Sequence, residues 1–249
     1  MPTLETKNLT HIFPDGTIAI QNISLQVKPG EFLIIAGANG SGKTVLIRHL
    51  NGLFTPTKGT VLLDGKAITA NIVEARKKIG LVFQDSDSQI VGQTVAEDVA
   101  FGPENLKLPP HEIDTITKRV LEITNLTALS TQNPHVLSGG QKRKLAIAGV
   151  LAMRPEIILF DEPFTGLDYP GVISILKQII NLHKTGHTII LVTHELEKVL
   201  AHADRLAILH KGQLMEIGTP KEVILHSKHY GIRMPLKNNE EIHLMTWLE

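Results

Sequence analysis

Gly37-Ala38-Asn39-Gly40-Ser41-Gly42-Lys43-Thr44 decides how the rest of this sequence reads. The spacing is G-x-x-x-x-G-K-[ST], and its flanks have the form that this pattern requires. Ahead of it, residues 31–36 (EFLIIA) are a short apolar run bounded by turn residues, which reads as a buried strand. Behind it, residues 45–50 (VLIRHL) read as a helix that Gly52 is placed to end. Glycines let successive backbone N–H groups turn toward one anion, and the helix start adds the positive end of its dipole. In such a loop Asn39, Gly40, Ser41 and Gly42 cradle phosphates, and Lys43 reaches the β- and γ-phosphates of a nucleotide. The Thr44 hydroxyl is then a ligand for Mg2+. The competing reading, a glycine-rich turn without function, is hard to square with eight matched positions between a strand and a helix.

The chain has 249 residues, enough for one large domain or two modest ones. With 42% hydrophobic residues, the composition is that of a globular protein rather than a disordered or membrane-embedded one. Lys plus Arg and Asp plus Glu both number 25, and a formal net charge of zero argues against a large nucleic-acid footprint. Cysteine is absent, which excludes disulfides, thiol catalysis and Cys-ligated metal. The N-terminus has neither a basic nor an apolar targeting segment. No apolar stretch approaches the roughly 20 residues that span a bilayer, so the sequence reads as cytoplasmic in character.

Residues 3–35 alternate apolar and polar positions around turn signals at 14–16 (PDG) and 28–31 (KPGE), and so predict an antiparallel strand layer. Phe13 lies in that layer beside a turn, one of only seven phenylalanines. A hairpin follows at 59–63 with Asp64-Gly65 as its turn, and 81–83 (LVF) is another buried strand, closed by Gln84. Residues 85–154 read as a mostly helical insertion, broken by Pro103, Pro109 and Pro110, with Ile113, Ile116, Val120, Leu121 and Ile123 at roughly helical spacing. Its last helix starts at Ser138-Gly139-Gly140 and stops before Pro155. Strands at 157–160 and 188–192, a helix at about 170–183 and a closing hairpin over 205–217 complete a mostly parallel α/β sheet. Ligands of such sheets bind at the carboxyl edge. Residues 226–249 are polar and irregular apart from Trp247, and no role is assigned to them. The expected organisation is a 1–225 nucleotide-binding domain, with a core of 1–84 and 155–225 and a helical subdomain of 85–154, and a 226–249 tail.

Two further motifs carry chemistry. Asp161-Glu162 stands at the tip of a wholly apolar strand, where the Asp can hold Mg2+ opposite Thr44 and the Glu can polarise an attacking water. In isolation such a pair is commonly just an acidic turn; a phosphate loop upstream favours the functional reading. Leu137-Ser138-Gly139-Gly140-Gln141 opens a helix that Ser138 can cap, with N–H groups open to a second anion.

With these three motifs together the sequence resembles the ATP-binding-cassette (ABC) ATPases, over residues 3 to about 222. Residues 37–44 match the family's Walker A loop, 157–162 its Walker B strand and catalytic glutamate, and 137–141 its signature motif without substitution. Gln84 falls at the Q-loop glutamine, Asp168 at the D-loop aspartate, and His194 at the switch histidine. The resemblance implies a P-loop NTPase fold (RecA-like, mostly parallel) with an antiparallel β layer and an inserted helical subdomain. It implies catalysis by Glu162, His194, Lys43 and Gln84, with Phe13 stacked on adenine and Mg2+ held by Thr44, Gln84 and Asp161. In that family two cassettes meet head to tail, so Ser138, Gly140, Gln141 and Asp168 would serve the nucleotide of a second, identical or different, ATPase subunit. Phe164 and Tyr169 depart from the family's usual D-loop residues.

The stretch 89–105 (QIVGQTVAEDVAFGPEN) resembles the energy-coupling ATPases of energy-coupling-factor importers, which take up vitamins or cobalt and nickel ions. Asp85-Ser86-Asp87 stands where that type usually has Asn-Pro-Asp. By this resemblance the chain partners a transmembrane coupling subunit and a substrate-capturing membrane subunit, at the cytoplasmic face of the cell membrane. The ATPase of another cassette transporter is the alternative. A non-transport cassette protein acting on DNA or ribosomes lacks support, since twin cassettes, coiled coils and zinc-binding cysteines are missing. His226 and His229 read as solvated surface, and 142–144 (KRK) as a solvated helix face.

Overall fold

The computed structural model describes residues 3–233, 243 and 245–248. Ahead of the phosphate loop, β1 (Leu4–Ile12) and β2 (Ile18–Val27) pair antiparallel. Then β3 (Phe32–Ala36) runs into the loop and α1 (Lys43–Leu50) runs out of it. A hairpin of β4 (Lys58–Leu63) and β5 (Lys66–Ala67) adds to β1, giving a four-stranded sheet in the order β2-β1-β4-β5. The short α2 (Ile72–Lys78), capped by Asn71, leads into β6 (Ile79–Val82).

Three helices follow. Thr94 and Glu97 form a capping box that starts α3 (Val95–Asn105), and Pro109-Pro110 starts α4 (Pro110–Ile123). A second capping box, Ser138 with Gln141, starts α5 (Gly139–Ala152). The expectation that Pro103 breaks the segment is wrong: α3 continues through it to Asn105. Pro103 forfeits its own N–H bond to the preceding turn, but the helix has only two residues left to run after it.

The chain then returns through β7 (Ile157–Asp161), α6 (Tyr169–Lys184), β8 (Thr188–Thr193), β9 (Arg205–His210), β10 (Gln213–Gly218) and the short α7 (Pro220–Val223). The larger sheet has the order β10-β9-β3-β8-β7-β6, parallel throughout except for β10. Its central strands β3, β7 and β8 are buried along their whole length, as continuous apolar runs between two layers must be.

Period-two alternation divides those strands between two cores. Phe32 and Ile34 of β3, Ile158 and Phe160 of β7, and Leu191 of β8 join the core shared with α3, α4, α5 and α6. Leu33, Ile35, Ile157, Leu159 and Val192 join the other, beneath the antiparallel sheet and α1. The mostly parallel α/β fold with an antiparallel layer is therefore present. The carboxyl ends of β3, β6, β7 and β8 all open toward the phosphate loop, Gln84, Asp161-Glu162 and His194.

The tail contains more structure than its composition predicts. Ile232 and Met245 belong to the first core. Residues 234–242, 244 and 249, over which the tail expectation also ran, lie outside the described residues.

Candidate active site

The loop between β3 and α1 depends on its glycines. Gly42 caps α1 at φ 99°, and a Cβ there would meet the Ala19 carbonyl and the Ile20 side chain at 2.7 Å. Only glycine fits such a position, strained and crowded at once. The loop folds back on its own lysine: Lys43 Nζ donates to the carbonyls of Gly37 (2.7 Å) and Ala38 (3.1 Å). Burial lowers the Lys43 pKa, opposed by the nearby charges of Glu162 and Asp161.

Across the loop, the Thr44 hydroxyl donates to Asp161 Oδ1 at 3.3 Å. Burial raises the Asp161 carboxyl, against that hydrogen bond, and adjacent Glu162 pushes the same way as burial. Glu162 N donates to Val192 O, continuing the β7–β8 ladder one step, and then the backbone turns left-handed at φ 47°. This conformation is strained for a residue with a Cβ, costing about 1 kcal/mol or more. The turn brings Glu162 Oε1 to 3.7 Å from Lys43 Nζ and 2.9 Å from His194 Nδ1. With a carboxylate as partner, Nδ1 of His194 carries the proton.

These groups surround one cleft of about 640 Å3, lined by Phe13, residues 39–45, Gln84, Glu162 and His194, together with Thr165, Lys211 and others. Two buried oxygens here, Ser41 Oγ and Glu162 Oε2, lack a hydrogen-bond partner among the described residues. Such atoms are costly unless a ligand meets them. A hydroxyl, a carboxylate and the Gln84 amide make a hard oxygen donor set, which suits Mg2+.

Ser138, Gly140, Gln141 and Asp168 do not line this cleft. Ser138 and Gln141 satisfy each other's backbone at the start of α5, and Asp168 Oδ1 accepts from Gly171 N at 2.9 Å to cap α6.

The solvated-face reading of 142–144 fails at Arg143. Arg143 is 4% exposed, and its guanidinium donates to the carbonyls of Phe83 and Gln84. Lys142 pairs with Asp87 at 2.6 Å. Nothing local in the sequence marks these residues, because their partners lie more than 50 positions away. His226 is exposed as expected, with Nδ1 2.8 Å from Glu216 Oε2. Among the described residues no cluster of three or more His, Cys, Asp or Glu could hold a metal, and no helix is long and apolar enough to cross a membrane.

A model of the ABC transporter family matches residues 20–165. The chain belongs to that family. This cassette is 46% identical to the energy-coupling factor transporter ATP-binding protein of Methanocaldococcus jannaschii, over 90% of its own length and 81% of the relative's. Its backbone also superposes on cbiO1 from Clostridium perfringens, part of the ABC transporter complex cbiONQ. That match has a TM-score of 0.82, 37% identity and 98% coverage of both chains. A dimeric ATP-binding cassette in a post-hydrolysis state, bound to ADP and Pi, matches at TM-score 0.78 and 30% identity, over 87% of this chain and 98% of that one. The cassette is thus an ATP-hydrolysing subunit of the energy-coupling factor type, working on ATP with Mg2+.

Proposed function

We propose that Glu162 is the residue that orients the attacking water, and that this cassette powers import of a micronutrient, a vitamin or a cobalt or nickel ion. The observation that carries the first part is the placement of the Glu162 carboxylate between Lys43 and His194, with Oε2 left unpartnered in the phosphate cleft. Lys43, free to exchange loop carbonyls for phosphate oxygens, binds the β- and γ-phosphates, and the backbone of residues 39–44 surrounds them. Phe13 stacks on adenine at the outer end of the cleft. Glu162 accepts a hydrogen bond from the water, and His194 holds that carboxylate in place while reading the γ-phosphate. Thr44 and Asp161, with Gln84, would hold Mg2+, which when bound neutralises charge on the transferring phosphoryl group. Ser138, Gly140, Gln141 and Asp168 act on the nucleotide of a second cassette, which explains why they stand outside their own chain's cleft.

The membrane partner docks where Gln84 leads. A groove of about 280 Å3 lies beyond it, lined by Leu53, Arg76, Val91, Phe101, Met153 and neighbours. Val91 and Phe101 are 58% and 50% exposed, an apolar rim suited to a short cytoplasmic helix of a transmembrane coupling subunit. A substrate-capturing membrane subunit completes the transporter, and the cassette sits peripherally at the cytoplasmic face. Residues 85–154 act as a helical subdomain against a core of 1–84 and 155–225.

The test is Glu162→Gln. It should bind Mg-ATP with affinity close to wild type, measured by equilibrium titration, while turnover falls by about 100-fold or more. Turnover at the wild-type rate would remove Glu162 from the role.

A further inference from the structure

Trp247 is the only tryptophan of the chain, and it lies half-buried against two segments of the nucleotide site. The first is the stretch after the switch histidine. Lys198 Nζ stands 4.7 Å from the centre of the Trp247 ring and 5.9 Å from that of Phe164, and it pairs with the Glu195 carboxylate. The Lys198 side chain is only 7% exposed. An ammonium taken from water needs a carboxylate, aromatic faces or both around it, and this one has both. Its surroundings come from functional segments: Glu195 directly follows His194, and Phe164 is two residues past Glu162.

The second segment is the start of α6. The Trp247 ring lies 5.4 Å from that of Tyr169, tilted by 34°. Tyr169 directly follows Asp168, whose carboxylate caps the same helix. The backbone secures the contact: Trp247 N donates to Lys198 O (3.3 Å), and Ala201 N donates to the carbonyl of Met245, which is 1% exposed. His202 Nε2 and Thr246 Oγ1 are 2.8 Å apart.

We propose that Trp247 is a positioning residue for ATP hydrolysis: its indole covers the Lys198 ammonium and abuts Tyr169, tying the segment that carries His194 to the one that carries Asp168. The inference rests on the roles proposed above for those two residues. Without the indole, Lys198 opens to water, its pull on Glu195 weakens, and His194 loses a fixed approach to Glu162. Phosphate binding by Lys43 and the loop is untouched, so the effect falls on turnover rather than on affinity.

Being the sole tryptophan, Trp247 reports on itself. In the full chain carrying Glu162→Gln, Mg-ATP should change its fluorescence emission, saturating at the same nucleotide concentration as binding measured independently. Trp247→Ala should lower kcat by about threefold or more while KM for Mg-ATP stays within about twofold. Trp247→Phe, which keeps a ring over the ammonium, should restore most of the rate. Unchanged emission despite saturated nucleotide binding, or a wild-type kcat in Trp247→Ala, overturns the inference. If Trp247→Ala does not fold, the emission measurement decides alone, since it alters nothing at that position. Inactive Glu162→Gln with fully active Trp247→Ala defeats only the positioning role. Fully active Glu162→Gln defeats the reading of the site itself.

Discussion

The Arg143 guanidinium donates to the Gln84 carbonyl at 2.6 Å, across 59 positions of sequence. A second N–H of the same fork holds the carbonyl of Phe83. Arg143 stands on α5, whose first turn is Gly139-Gly140, so one side chain joins the signature helix to the segment leaving β6.

Arg143→Ala should leave two partly buried carbonyls short of a donor, at about 1–3 kcal/mol, visible as a lower thermal midpoint. Arg143→Lys keeps the charge but not the planar fork, and should recover only part of the loss. ATP turnover should fall in both, since Gln84 is no longer fixed. A wild-type rate and midpoint in Arg143→Ala would show that the fork does not position the segment.

Two chains, each lacking a different half of the composite site, should complement if the cassette works as a homodimer. Lys43→Ala removes the positive charge that faces the phosphates, and Ser138→Arg blocks the signature helix start at the cost of its cap, about 1 kcal/mol. Each alone should be nearly inactive, and an equal mixture should regain activity through one intact site. Activity of the wild type should also rise with protein concentration. No recovery on mixing, together with concentration-independent activity, argues against a head-to-tail pair of identical chains.

Val91→Asp adds charge to the exposed rim of the groove without disturbing the buried Val95 and Val99. Basal ATPase of the purified chain should stay within about twofold, because exposed apolar positions tolerate substitution. Uptake by the whole transporter in vesicles should fall steeply, and Phe101→Asp should do the same. Wild-type uptake in both variants would place the membrane contact elsewhere.

Stability should depend on pH through His49. Its ring is fully buried, Nδ1 donates to Val45 O at 2.8 Å, and Nε2 has no partner among the described residues. Burial lowers its pKa below the ordinary 6.5; His11 acts in the same direction, and the backbones of Val45 and Thr55 oppose. The folded state therefore prefers neutral His49, while the unfolded chain takes up a proton near its ordinary value. Stability is complete above about pH 6.5 and declines as pH falls toward the depressed folded value. His49→Leu should flatten the decline in urea midpoint between about pH 7.5 and about pH 5.5. A residual slope should persist from His202, lowered likewise by burial and by Lys184 and His183. An unchanged slope in His49→Leu would exclude the group.

Much of this protein was legible in its sequence because the determinants are local. Positive φ in a crowded loop demands glycine at 42, unbroken apolar runs mark β3, β7 and β8, and Ser138 announces the start of α5. Gly37–Thr44 and Asp161-Glu162 were legible as motifs at strand ends, and Gln84 and His194 through the family resemblance; the parallel sheet brings all of them to one edge. The tertiary structure decided what depends on distant partners. Charge composition made residues 142–144 look solvated, yet desolvating Arg143 is offset by two carbonyls that only the packing of α5 on β6 supplies. Apolar residues in 89–101 look alike in sequence, but Val95 and Val99 fill the core while Val91 and Phe101 face out; on α3 that division is set by how the helix lies on α5, and Val91 sits in the loop before it. The tail read as featureless because its contacts, Met245 to the core and Trp247 to Lys198 and Tyr169, span more than 40 residues and leave no periodic trace.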